Sequence, residues 1–177
     1  MTDATKIMEM IKEHDITYVD LRFTDTRGKM QHVTQHIDTI DEDALNEGFM
    51  FDGSSIAGWK AINDSDMTLM PDLYRAYIDP FFAQPTLALF CDVLEPSSGE
   101  AYDRDPRGTA KAALAHIETL GIADTAFFGP EAEFFIFEDV KIDVSMNRGM
   151  YSVDSVEGPY NSARKYGEGN LGHRPGV

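Results

Sequence analysis

The chain has 177 residues, 42% of them apolar and 11% aromatic, with 31 acidic against 15 basic side chains and a formal charge of −16. That apolar content suffices for a packed core and the length for one domain plus part of a second, while so acidic a surface repels phosphate backbones and argues against nucleic acid or an anionic membrane as a partner. No run approaches the ~18–20 apolar residues of a membrane span, and Lys6, Glu9, Lys12, Glu13, His14 and Asp15 make the opening too charged for a signal peptide, so a cytoplasmic protein is expected.

Thr2 or Asp3 caps a first predicted helix with Ile7, Met10 and Ile11 at i, i+3 and i+4, ending near His14. Val19, Leu21 and Phe23 then alternate with Tyr18, Asp20 and Arg22, the period of a half-buried strand. A turn over Asp25 to Lys29 and a second strand from Met30 to Ile37 complete an antiparallel hairpin. Asp41 to Glu47, closed by Gly48, suits a short acidic helix, and a Gly/Ser-rich loop from Phe51 to Gly58 follows. Further strands are expected around Met67 to Met70 and from Thr86 to Val93. Four strands and two helices make a small α+β domain. Cys91, the only cysteine, lies in an apolar run and reads as a small buried hydrophobe; disulfides within the chain and thiolate metal sites are excluded.

Glu95 to Asp105 reads as a linker. Pro106 opens the best helix of the chain, with Ala110, Ala113, Leu114, Ile117 and Leu120 on one stripe and Gly121 just past its end. Ala126 to Val140 reads as an aromatic-rich strand, and six of the 14 glycines then fall between Gly149 and Gly176 in a stretch without periodicity. One helix, one strand and a glycine-rich tail cannot bury both faces of a sheet, so the chain is expected to be a fragment of a longer protein. Charge is uneven as well. Asp38 to Asp103 holds 14 acidic residues against Lys60 and Arg75, a net −12, whereas Pro106 to Val177 carries −3.

Several groups of residues are candidates for chemistry. In Gly129-Pro130-Glu131-Ala132-Glu133-Phe134-Phe135, a strand would set Glu131 and Glu133 on one face with roughly 7 Å between α-carbons. Such carboxylates repel unless a cation or proton lies between them. Oxygen-only donors suit Mg²⁺ or Mn²⁺, although on spacing alone a solvated strand face is the more economical account. In Phe51-Asp52-Gly53-Ser54-Ser55-Ile56, Asp52 either closes an Asx-turn or sits on a mobile loop as a general base or cation acceptor with the Ser55 hydroxyl beside it; alone, the turn is favoured. Trp59 is either a packing anchor or an aromatic wall for a cation. Gly167 to Gly172 matches G-x-G-x-x-G, but no strand precedes it and the pattern is rejected as a dinucleotide site. His32 and His36 would lie roughly 13 Å apart on a strand, too far to share a metal. Arg164, Lys165, His173 and Arg174 make the tail locally basic, to meet phosphates or to balance neighbouring acids.

The run Phe51 to Ile56 with Gly58-Trp59-Lys60, then Ser65-Asp66-Met67, Leu69-Met70-Pro71-Asp72, Ile78-Asp79-Pro80-Phe81-Phe82, Tyr102 to Arg107, Phe128 to Phe135 and Gly172 to Gly176 closely resembles bacterial type I glutamine synthetase, in order and in register. The resemblance implies a β-grasp-like N-terminal domain over 1–103 and the truncated start of an α/β catalytic domain over 104–177. It implies an ATP-dependent ligase in which glutamate is phosphorylated on its γ-carboxylate and ammonia displaces the phosphate. By the same resemblance Glu131 and Glu133 bind the two or more divalent ions, Mg²⁺ or Mn²⁺, while Asp52 binds ammonium and takes its proton with Ser55 shaping the pocket. Active sites would lie between subunits of two stacked six-membered rings, with the glycine-rich tail facing the central channel. The other metal ligands, the nucleotide pocket and the glutamate-binding arginines of the family fall beyond Val177, so residues 1–177 alone are expected to be inactive. Two alternatives stand beside this: a γ-glutamylpolyamine synthetase-like ligase, and a non-catalytic acidic interaction fragment. An acidic lip around Asp52 would raise the local ammonium concentration, although most of those carboxylates are more economically read as a solvated surface.

Overall fold

The computed structural model describes residues 3–165. They divide into two compact units, one up to Ala126 and one from Phe127. Among the described residues no helix is long and apolar enough to cross a membrane.

The first unit is built on a five-stranded mixed sheet, the α+β arrangement expected. Helix α1 (Asp3–Glu13) buries Ala4, Ile7 and Ile11 on one stripe. Strands β1 (Tyr18–Thr24) and β2 (Met30–His36) form the predicted hairpin in the register Tyr18↔His36 to Thr24↔Met30. Its turn is organised by Asp25, whose Oδ1 accepts from the amides of Arg27 (2.9 Å) and Lys29 (3.0 Å). Helix α2 (Glu42–Glu47) has Asp41 as its N-cap, accepting from the Ala44 amide, and stops at Gly48 with φ +88°. A Cβ on Gly48 would lie 2.9 Å from the Leu69 carbonyl oxygen and 2.6 Å from Thr68 Cγ2, so both backbone angle and space require glycine.

Beyond α2 the structure adds a strand not expected from the sequence, overlapping the start of the loop expected from Phe51 to Gly58. Strand β3 (Phe49–Asp52) pairs antiparallel with the start of β4 (Asp66–Ile78). Strand β4 is longer than expected and runs antiparallel to β5 (Thr86–Leu94), with a register shift between Pro71 and Ala76 where β3 no longer runs alongside. Strand β5 lies parallel to β1, giving the order β2-β1-β5-β4-β3. Val19, Leu21, Phe23, Met67, Leu69, Leu87, Leu89 and Val93 form the core face together with the α1 stripe.

The segment read as a linker is packed. Tyr102 is buried, its amide donates to the Val93 carbonyl, and Leu94 bridges to Ala101. Asp105 is fully buried; its carboxylate accepts from the amides of Arg107 (3.0 Å) and Gly108 (3.2 Å), capping helix α3 (Pro106–Thr119), and from Val93 N (3.1 Å), tying the helix start to β5. Arg107 reaches Asp92 (3.0 Å) and Asp72 (2.7 Å), and Lys111 also pairs with Asp92. The apolar stripe predicted on α3 is present but uncovered, with Leu114 and Leu120 exposed.

The second unit departs most from expectation. The strand read over Ala126 to Val140 is absent: residues 125–137 carry no regular structure, and Phe127 is 94% and Phe135 83% exposed. Aromatic content favours strands only where a neighbour supplies the ladder, and the described residues supply none. The strands of this unit come later, β6 (Asp139–Ser145) and β7 (Arg148–Asp154), an antiparallel hairpin across Met146-Asn147 where the sequence reading had seen only the end of one strand and an irregular stretch. Glu138, the buried Asn161 and Asp154 stitch the following loop to it. Glu138 Oε2 accepts from Val156 N (2.7 Å), Asp154 Oδ1 from Ser162 N (3.0 Å), and Asn161 Nδ2 donates to the Ser155 carbonyl (2.8 Å).

Candidate active-site segments

Asp52 closes β3 and opens a single 3-10 turn over Gly53–Ser55. Its Oδ1 accepts from the Ser54 amide (2.8 Å) and from the Ser54 hydroxyl (2.6 Å), so the Asx-turn anticipated from D-G-S-S is formed. The Ser54 hydroxyl, joined by the Ser54 amide and the Ser65 hydroxyl, holds the Asp52 carboxyl below the usual carboxylate range. The hydroxyl beside Asp52 is thus that of Ser54; Ser55, the expected neighbour, is exposed and has no bond to Asp52 among those described. Asp52 pairs across the ladder with Asp66, which sets two exposed carboxylates on the same face at this end of the sheet.

The loop that carries Asp52 is fixed rather than mobile. Gly53 is buried, and its amide donates to the Ser65 carbonyl (2.7 Å). A Cβ there would stand 2.4 Å from Met67 Sδ and 2.8 Å from its Cγ. Trp59, 6% exposed, packs on Phe23, Phe51 and Tyr102 with ring centroids 5.5, 6.3 and 5.2 Å away, which makes it the packing anchor of the two readings. Its indole N–H is buried without a hydrogen-bond partner among the described residues. Lys60 beside it is committed to Glu95 at 2.7 Å.

Glu131 and Glu133 lie in the unpaired segment, both exposed. Without a strand, the pleat that would hold them on one face is missing, and among the described residues no group of three or more His, Cys, Asp or Glu could hold a metal. As an oxygen donor each fits a hard divalent ion, supplying one of its six or more ligands. The apolar residues that follow them, Phe134, Phe135 and Ile136, line a cavity of about 550 Å³ with Gly158, Pro159 and Tyr160. Asp52 and the two glutamates belong to different units.

A polar constellation that sequence reasoning missed lies on the second face of the sheet. Asp20, 1% exposed, accepts from Arg22 Nε, His32 Nδ1 and Thr34 Oγ1, each at 2.7 Å, and Arg22 continues to Asp79 (2.6 Å) and the Tyr77 hydroxyl. Burial raises the Asp20 pKa, but the hydrogen bonds from Arg22, His32 and Thr34 outweigh it and the carboxyl titrates below its ordinary range. The only sequence signal was the row Asp20, Arg22, His32, Thr34 on alternate positions of neighbouring strands. His32 is thereby accounted for, and His36 rests edge-on against Tyr18 at 5.5 Å. Burial pushes the Cys91 thiol up to about 12, as befits an inert core residue. The G-x-G-x-x-G run, His173, Arg174 and the rest of the tail facing a proposed channel lie outside the described residues.

Comparison with known proteins converges on one family. Residues 15–96 match the family model described as "Glutamine synthetase, beta-Grasp domain" and residues 103–172 that described as "Glutamine synthetase, catalytic domain". The curated glutamine synthetase of Azospirillum brasilense is 63% identical over 177 residues, covering 100% of this chain and 38% of its own length. That of Rhizobium meliloti is 58% identical with the same coverage. The chain therefore spans 38% of the length of these relatives. The solved glutamine synthetase of Plasmodium falciparum superposes with a TM-score of 0.67 at 23% identity, covering 89% of this chain and 30% of that one, a likeness of fold.

Proposed function

The chain belongs to the glutamine synthetase family, and from that premise we propose that the whole protein to which these residues contribute is an ATP-dependent glutamate–ammonia ligase. The observation that carries the reading furthest is Asp52: an ionised carboxylate, held by neutral hydroxyl and amide donors on a braced loop, opposite a second carboxylate. Such a group binds a small cation by contact. Ammonium seated there loses a proton to Asp52, and the amine lone pair then attacks the acyl carbon of γ-glutamyl phosphate. That intermediate forms when the glutamate γ-carboxylate takes the terminal phosphoryl group of ATP and ADP leaves; its collapse releases phosphate and leaves the amide. Proton transfer to a carboxylate of lowered pKa is uphill and is drawn forward by the attack that consumes ammonia. In this reading Ser55 shapes the ammonium pocket.

Glu131 and Glu133 would hold Mg²⁺ or Mn²⁺, two or more ions per site. When bound, such ions screen the charge of the transferring phosphoryl group. The remaining proposals follow from the family: domains over 1–103 and 104–177, active sites shared between subunits of two stacked six-membered rings, and a cytoplasmic enzyme drawing on ATP and glutamate. The test is phosphate release and glutamine formation by the whole protein with ATP, glutamate and either ammonium or putrescine, the 177-residue chain alone serving as the inactive arm. Ammonium-dependent turnover supports the reading. Turnover with putrescine in preference to ammonium, or glutamine formation by the 177-residue chain, overturns it.

A further inference from the structure

We infer that Ser54 is the positioning residue that aims the Asp52 carboxylate at its cation, an inference that rests on the reading of Asp52 given above. A carboxylate offers about four acceptor positions, two on each oxygen. Ser54 fills both positions on Oδ1, with its amide at 2.8 Å and its hydroxyl at 2.6 Å. Two donors from one residue on one oxygen stop rotation about the Cβ–Cγ bond. The Ser65 hydroxyl has one hydrogen to give, so acceptor capacity remains on Oδ2.

The kind of donor matters as much as the number. Several carboxylates of this unit are met by cations, Asp20 and Asp79 by Arg22, Asp72 by Arg107, Asp92 by Arg107 and Lys111, Glu95 by Lys60, whereas Asp25 and Asp105 are held by neutral amide donors and are buried. A cationic partner orients a carboxylate and also neutralises it. Neutral donors orient it and leave its full charge for a ligand. Asp52 combines neutral donors with exposure to solvent, which leaves its charge open to a cation where the buried Asp25 and Asp105 are closed off. Ser54 is itself placed by the fold, because Gly53 before it is wedged against Met67 and the Ile56 amide after it donates to the Gly53 carbonyl at 3.1 Å.

The experiment compares Ser54→Ala, Ser54→Thr and Asp52→Asn in the whole enzyme, with KM for ammonium, glutamate and ATP, the pH profile of kcat/KM for ammonium, and Trp59 fluorescence as a report on the loop. Ser54→Ala should raise KM for ammonium about tenfold, equivalent to ~1.4 kcal/mol, leave KM for glutamate and ATP unchanged, and move the acid limb to higher pH, since the hydroxyl no longer favours the ionised carboxylate. Ser54→Thr, which keeps the hydroxyl, should restore KM to within about threefold. An unchanged ammonium KM and acid limb in Ser54→Ala, with Asp52→Asn still impaired, overturns the inference and spares the reading of Asp52. An unimpaired Asp52→Asn overturns that reading itself. Equal losses for all three substrates with altered Trp59 fluorescence show a role in loop structure alone and overturn the inference too.

Discussion

Substitution Gly53→Ala tests whether the Asp52 loop is held by packing or is free to move. The backbone of Gly53 does not occupy the left-handed region, so the added methyl costs nothing in φ; its cost is space. Its Cβ would fall 2.4 Å from Met67 Sδ, 2.8 Å from Met67 Cγ and 3.1 Å from the Ser65 carbonyl oxygen. Met67 is itself fully buried and cannot swing aside without displacing the core. Overpacking of this kind costs about 1–3 kcal/mol, and the reduced entropy of the unfolded chain returns about 0.4–1, leaving a net loss of about 1–2 kcal/mol. With a urea dependence of about 2 kcal/mol per molar, the midpoint should fall by roughly 0.5–1 M. Urea unfolding followed by Trp59 fluorescence reports on this place directly, because the sole tryptophan packs beside the loop. Adding Met67→Ala should remove the clash, so the double variant should be less destabilised than the sum of the two. Gly58→Ala is the control: no atom lies within 4 Å of its would-be Cβ, but φ is +82°, so it is destabilising through backbone strain that Met67→Ala cannot relieve. A Gly53→Ala midpoint within error of the wild type, or strict additivity with Met67→Ala, would refute the packing argument.

Three further outcomes are expected. Asp20→Ala should cost about 3–5 kcal/mol, because it strands Arg22 in a half-dry network; since the Asp20 carboxyl titrates below its unfolded value near ~3.9, its stabilisation is present above that pH and lost as pH falls through the folded pKa. Acid titration of stability should accordingly be shallower in the variant, and an equal slope in both proteins would contradict the network. Cys91, its thiol raised to about 12 by burial, should resist iodoacetamide at pH 8 in the native chain and react once urea unfolds it; native alkylation at the free-thiol rate would show the core to be open. Glu131→Ala and Glu133→Ala in the whole enzyme should each raise the divalent-ion concentration for half-maximal activity at least about tenfold while leaving the unfolding of the first unit unchanged, and an unaltered metal dependence would remove these residues from the metal assignment.

Elements announced by signals within a few residues were legible. Asp41 and Gly48 around α2, Asp105 and Pro106 at α3, and the alternation of Val19, Leu21 and Phe23 each carry their own local physics. Strand β3 was hidden because four residues between a helix and a Gly/Ser loop are defined only by pairing with β4. Residues 125–137 misled for the opposite reason, having strand-like composition without a partner among the described residues, while Ile142 and Val144, which continue the alternation from Val140 in β6, lie past the end of the strand expected over Ala126 to Val140. In the site, D-G-S-S marks the turn, but the expectation of Ser55 beside Asp52 gives way to Ser54. That choice depends on which hydroxyl the 3-10 turn swings over Oδ1, a matter of two dihedral angles. Asp20 and Arg22 look like the solvent side of a half-buried strand; Asp20 is buried and Arg22 half-buried because Tyr77, Asp79, His32 and Thr34 from neighbouring chain segments close over them.

Within the concentrated acidity of residues 38–103, the carboxylates paired with cations and the exposed pair at Asp52 bear differently on ammonium, while Asp38, Asp41, Glu42, Asp43, Glu47, Asp64, Glu100 and Asp103 form an exposed acidic surface. Asp72, Asp79, Asp92 and Glu95 are spent on Arg107, Lys111, Arg22 and Lys60, and so contribute little field at a distance. Asp52 and its ladder partner Asp66 are exposed at one end of the sheet, where salt screens anything beyond about 8–10 Å. A site of that kind captures a cation by contact rather than by long-range attraction. Raising ionic strength from ~0.05 to ~0.5 M shortens the screening length severalfold but leaves a contact pair of a few ångströms largely intact. With tetramethylammonium chloride as the salt, a cation too bulky to compete in a pocket sized for ammonium, KM for ammonium in the whole enzyme should change less than about twofold. A rise of tenfold would mean that the summed acidic surface, and not the Asp52 carboxylate held by Ser54, gathers the substrate.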